Sequence, residues 1–159
     1  MSLPEFFARP LLAGMFIYGG LDSVRNGGAK ADTAEAVVEP VAERTGFDSE
    51  QLVRINGAVQ VVAGAALALG ILPRPAAAAL AVSLVPTTLA GHRFWEQDDA
   101  KKRAGQTVHF LKNAAMLGGL ILAATSTGGR PSLPWRARRA IHGVVEGTGE
   151  RLGDLRHAS

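Results

Sequence analysis

Apolar positions run through long stretches of this chain with no polar face between them. Ile55–Leu72 contains no charged residue, and neither do Pro75–Gly91 and Asn113–Gly129. Pro10–Leu21 is a shorter stretch of the same kind. A helix of a soluble bundle returns a polar residue every three or four positions, so these stretches weigh against a soluble Ala-rich bundle. Each is close to the ~17–25 residues that a helix needs to cross a bilayer. The pattern predicts an all-α integral membrane protein, an antiparallel four-helix bundle with spans of roughly Pro4–Val24, Val53–Leu72, Pro75–Trp95 and Thr107–Thr127.

Between these stretches the pattern changes. Asn26-Gly27-Gly28 should end the first helix, and a loop of about thirty residues follows, too long to lack structure of its own. Within it "DTAEAVVEPVAERTGF" is amphipathic: Val37, Val38, Val41 and Ala42 make one face, Glu35, Glu39 and Glu43 the other. It is expected as a surface helix over the bundle mouth, kinked or divided at Pro40, the alternative being a simple connector. Asp48 or Ser49 can cap the next helix, with Glu50 and Gln51 in its first turn. "LPRP" (72–75) is a tight turn joining antiparallel neighbours, and Pro86 should kink the third span. "EQDDAKKRAGQ" (96–106) reads as a solvated loop. Residues 1–129 thus form the transmembrane domain and 130–159 a basic tail. In that tail Trp135, Arg136, Arg138 and Arg139 suit a membrane surface or a partner protein.

Composition changes little in this picture. At 159 residues one domain is expected. The N-terminus has a weak basic region and no convincing small-x-small cleavage site, so it is read as a helix and not as a signal peptide. The absence of cysteine excludes thiolate catalysis and Cys-ligated clusters in this chain. The pI of about 9.8 could suggest nucleic acid, but basic residues in a membrane protein serve topology. Lys and Arg divide eight against eight between the two sides of the four-span arrangement. The Arg136/Arg138/Arg139 cluster lacks acidic neighbours, whereas the opposite loops hold ten Asp and Glu. Both termini are therefore placed in the cytoplasm.

Alternating spans bring the intramembrane polar residues to one end. Tyr18 and Asp22 lie at the far end of the first span, and Asn56 and Gln60 at the start of the second. Thr88, His92 and Trp95 end the third, and His109, Lys112 and Asn113 begin the fourth. At 1.5 Å per residue, Gln60 and Asn113 are about 10 Å below the surface. Two plain explanations are available: Lys112 can snorkel outward, and the amides can bond between helices. A third is a polar pocket of Tyr18, Asn56, Gln60, His92, Trp95, His109, Lys112 and Asn113, able to hold a small oxyanion or a quinone head. There Lys112 and a histidine would face negative charge, and Tyr18 and His109 could relay protons. Metal binding is disfavoured because no span carries ligands at a chelating spacing. Haem would need facing histidines, and no phosphate-binding glycine loop is present. The glycines of "LGGL" and "INGAVQVVAGAALALG" permit close helix contact.

Several segments carry a family resemblance. "LLAGMFIYGGLD" after Arg9, "INGAVQVVAGAALALGILPRPAAAAL", "GHRFWE" and above all "VHFLKNAAMLGGLILA" resemble the DoxX family of small four-helix bacterial membrane proteins. The resemblance covers most of residues 9–127. Arg9, Gln60, His92, Trp95, Lys112 and Asn113 match recurring polar positions of that family. It implies a bacterial plasma-membrane protein. Some relatives are subunits of a thiosulfate:quinone oxidoreductase, and others are tied to oxidant or thiol defence through soluble enzymes.

Three functions follow as expectations. The first is a subunit that binds menaquinone, another quinone or a small molecule, with no covalent cofactor, in a redox or oxidant-defence system. It would be at most an accessory part of an oxidoreductase, beside soluble redox enzymes or a second membrane subunit. The second is a non-catalytic anchor or scaffold whose basic tail recruits such enzymes. The third is a small transporter, which would need polar residues through Ala63–Leu72 and Ala115–Ala124, where there are none. Partners expected in every case are lipids, not nucleic acid, and oligomers are open.

Overall fold

The computed structural model describes residues 3–125, and these are all helix and short connections. In chain order they are α1 (Leu3–Arg25), α2 (Gly27–Thr45), α3 (Ser49–Leu69), α4 (Pro73–Gly91), a 3-10 turn at Phe94–Glu96, and α5 (Ala100–Thr125). The tail positions Trp135, Arg136, Arg138 and Arg139 lie outside the described residues. Three segments are long and apolar enough to cross a membrane: Ser49–Leu69, Pro73–Glu96 and Ala100–Thr125. The first predicted span is a helix of 23 residues. It is not among the three because Glu5, Arg9, Asp22 and Arg25 crowd its two ends.

The local chemistry explains where the helices start and stop. Asp48 caps α3: its side chain accepts from the Gln51 backbone N–H at 2.7 Å, and the Gln51 side chain accepts from the Asp48 N–H at 3.0 Å. This reciprocal box satisfies two amides that would otherwise have no intrahelical partner. Gly70, with φ of 71°, ends α3 in the left-handed conformation, where a residue with a Cβ is strained. The turn is therefore Gly70-Ile71-Leu72, earlier than the predicted 72–75, and Pro73 opens α4, where its missing N–H costs nothing. Leu72 in the same turn also has a positive φ, 46°.

Two loop assignments need correction. The predicted loop after α1 is almost entirely α2, separated from α1 by Asn26 alone. Gly27 and Gly28 form the first turn of that helix and pack closely on α3: a Cβ on Gly27 would lie 2.6 Å from Arg54 Cγ. Pro40 sits inside α2 without dividing it. The predicted solvated loop 96–106 is short, because Asp99 accepts from the Lys102 N–H at 2.7 Å and starts α5 at Ala100.

α1 packs on α3, α3 on α4, and α4 on α5, while α2 lies against α3 and α4. Gly20 meets Gly57, and Ala13 and Ile17 meet Gly64, so α1 and α3 run antiparallel at close approach. A Cβ on Gly57 would be 2.8 Å from the Gly20 carbonyl oxygen. The core is built from Ala13, Phe16, Ala63, Leu67, Ala77, Leu80, Leu84 and Leu120, drawn from α1, α3, α4 and α5. The glycines of "LGGL" do not serve this purpose: nothing approaches a Cβ on Gly118, and Gly119 meets only Leu12 side-chain atoms at 3.8 Å.

Candidate functional site

α4 presents polar residues to two sides. One face carries Ser83 and Thr87 at i, i+4, and the other carries Leu80, Leu84 and Thr88. Thr87 Oγ1 accepts from Asn56 Nδ2 and from Gln60 Nε2, each at 3.0 Å, and donates to the Ser83 carbonyl at 2.9 Å. Thr88 Oγ1 accepts from Asn113 Nδ2 at 3.0 Å and donates to the Leu84 carbonyl at 2.8 Å. Gln60 and Asn113 are both buried, so each amide has a partner where an unpaired one would be costly.

The predicted polar residues do gather at one end of the helices, but not in one pocket. Asn56 and Gln60 meet at Thr87, whereas Asn113 reaches Thr88 on the α5 side. His92 caps the end of α4, and its Nδ1 lies 2.9 Å from Gln106 Oε1. With that oxygen as acceptor, Nδ1 carries the proton. The His92 ring stacks on His109 at 5.1 Å between centroids, and Lys112 Nζ lies 3.5 Å from His109 Nδ1. His109 and Lys112 are both exposed. Trp95 packs edge-on against Phe94 and Phe110, also at the surface. Tyr18 is 76 % exposed and joins none of these groups.

A cleft of about 860 Å³ lies between α2 and the α3/α4 pair. Of the predicted pocket residues only Asn56 and His92 line it. Its walls are Val37, Val38 and Val41 of α2, Leu52, Val53, Ile55 and Val59 of α3, and Ala78, Ala79, Val82, Pro86 and Ala90 of α4. Ser23, Lys30, Thr33, Ser83 and Thr87 add a small number of polar groups. Lys30 is held at the rim, with Nζ paired to Asp22 and bonded to Ser23 Oγ at 3.1 Å. That pair ties α2 to the end of α1. Such a balance of apolar wall and sparse polar groups is typical of a site for a small apolar molecule.

Ser83, Thr87, Lys30, Ser23 and Thr33 are the polar cleft residues that sequence reasoning missed. The i, i+4 spacing of Ser83 and Thr87 across Pro86 was a visible signal for the first two. The apolar face of α2 was read correctly, but it faces the cleft. Among the described residues no group of His, Asp and Glu could hold a metal ion.

The long apolar helices and their packing define a multi-pass α-helical membrane protein. The sequence model of the DoxX family matches residues 5–93, more than half of the chain, and the chain belongs to that family. No curated protein and no solved structure matches it. The match takes in α1 to α4 and the whole lining of the cleft. It stops before α5, so Trp95, Lys112 and Asn113 and the segment of strongest resemblance lie beyond it, whereas Arg9, Gln60 and His92 lie within.

Proposed function

We propose that this DoxX-family protein is a four-span membrane subunit that holds a quinone-type molecule in the cleft between α2 and α3/α4. It would serve a redox or oxidant-defence system of a bacterial plasma membrane, with soluble redox enzymes or a second membrane subunit as its electron partners. The cleft itself carries this reading. Its volume falls in the ~300–1,000 Å³ range of small-molecule sites. Valine, leucine and alanine walls suit an isoprenoid chain, and the buried Ser83 hydroxyl and half-buried Asn56 amide suit a ring carbonyl. Lys112 and His109, exposed on α5, have no part in it.

The test is menaquinone retention by the full-length protein purified in detergent, read by lipid extraction and thermal shift. Ala78→Phe places a ring on the exposed cleft wall and should abolish retention. Lys112→Leu should leave it unchanged. Loss in Lys112→Leu with retention in Ala78→Phe would move the ligand to the histidine cluster and overturn the cleft assignment.

A further inference from the structure

Among the described residues one buried side-chain polar atom has no hydrogen-bond partner: Ser83 Oγ. Ser83 is only 4 % exposed, and it lines the cleft. A serine or threonine within a helix ordinarily donates to the carbonyl one turn back. Thr45, Thr87, Thr88, Thr107 and Thr125 all do so here, at 2.7–2.9 Å. Ser83 does not. Its neighbour Thr87 cannot help, because a hydroxyl has one proton and two lone pairs and Thr87 uses all three. Three residues along, Pro86 has no N–H, so the carbonyl of Val82, another cleft residue, lacks its helical donor. The middle of α4, which lines the cleft, thus holds a hydroxyl without a partner and a carbonyl without its helical donor, and leaving a hydroxyl buried and unpaired is unfavourable.

We infer that Ser83 is the internal anchor of the cleft. Its O–H donates to a neutral keto or ester oxygen of an amphipathic molecule that enters head first, with its chain along Val37, Val41 and Val59. This rests on the proposed function, in that a ligand occupies the cleft, and it adds which end goes in and what holds it. The head is uncharged, because the cation lining the cleft, Lys30, is at the rim and already paired with Asp22. A carboxylate or phosphate would remain there. A quinone ring and the ester of a glycerolipid share the required oxygen.

Full-length protein is loaded with menaquinone or with diacylglycerol, an uncharged glycerolipid, and wild type is compared with Ser83→Ala and Ser83→Cys. Affinity and the infrared carbonyl stretch of the bound molecule are read for each. Wild type should bind menaquinone with its carbonyl band lowered. Ser83→Ala should bind roughly tenfold more weakly, the loss of one hydrogen bond, with the band returned to its free position. Ser83→Cys, a weaker donor, should fall between. The unliganded melting temperature of Ser83→Ala should not drop, which separates loss of anchoring from loss of fold. Equal affinity and an unmoved band in Ser83→Ala would overturn the anchor while leaving the cleft reading intact. A Ser83-dependent band with diacylglycerol and no menaquinone binding would keep the anchor and overturn the quinone. Binding of neither overturns both.

Discussion

Thr87 and Thr88 are adjacent in sequence and serve different helices, one joining α3 to α4 and the other joining α4 to α5. The Thr87 hydroxyl accepts two amides and the Thr88 hydroxyl one, so their removal should differ in cost. At about 0.6 kcal/mol for an interhelical bond in a membrane, Thr88→Val should lose about that much stability and Thr87→Val about twice as much. Reversible unfolding in mixed micelles would read this, and a Thr88→Val cost at or above that of Thr87→Val would remove Thr87 as the node. Ser83→Ala has the opposite sign. Deleting an unpaired buried hydroxyl should raise the stability of the unliganded protein by about 1 kcal/mol, and a loss of that size would mean that the hydroxyl has a partner after all. At this scale the sequence was legible in part. Asn56, Gln60, His92 and Asn113 could be picked out because amides and imidazoles are rare in apolar helices. Ser83 and Thr87 gave a weaker signal, their i, i+4 spacing, because small hydroxyl residues are common in such helices and the face each presents depends on packing. Thr87 and Thr88 take their amide partners on two sides of α4, which explains why one predicted pocket became two separate groups.

The helices themselves were predicted best where local chemistry fixes an end. The capping box at Asp48 and the uncharged runs of α3 and α4 follow from residues a few positions apart. The start of α2 was misplaced: Asn26-Gly27-Gly28 reads as a break, whereas the helix begins at Gly27, which packs on Arg54 of another helix. The α1/α3 contact is the clearest case at this scale. Gly57→Ala puts a Cβ 2.8 Å from both the Gly20 carbonyl oxygen and Ser23 Cβ, so helix backbones must move apart. A cost of about 1–3 kcal/mol is expected from such overpacking. Gly118→Ala meets nothing within 4 Å and should stabilise α5 by up to about 1 kcal/mol through helix propensity. Thermal unfolding of the two variants side by side checks the pair. Similar effects in both would mean that α1 and α3 do not touch as closely as Gly20 and Gly57 indicate.

At the scale of the whole molecule, α1 decides the topology. Its uncharged part, Pro10–Leu21, is about 18 Å long at the helical rise, well short of the ~30 Å hydrocarbon core. Packing argues for a crossing nonetheless. α1 lies antiparallel along α3, with Gly20 at Gly57 and Ala13 at Gly64, so a membrane that contains α3 must surround α1 as well. Its end charges are also largely matched: Arg9 pairs with Glu5 at 3.4 Å, and Asp22 pairs with Lys30, which lowers the cost of holding them near the hydrocarbon boundary. Four crossings place the N-terminus on the side of the α3–α4 turn, and three would place it on the side of the α2–α3 connection. Because the chain has no cysteine, single substitutions report the side directly. Leu3→Cys and Ile71→Cys should react with a membrane-impermeant maleimide from one face of sealed vesicles, and Phe47→Cys and Asp98→Cys from the other. If Leu3→Cys labels with Phe47→Cys, α1 does not cross.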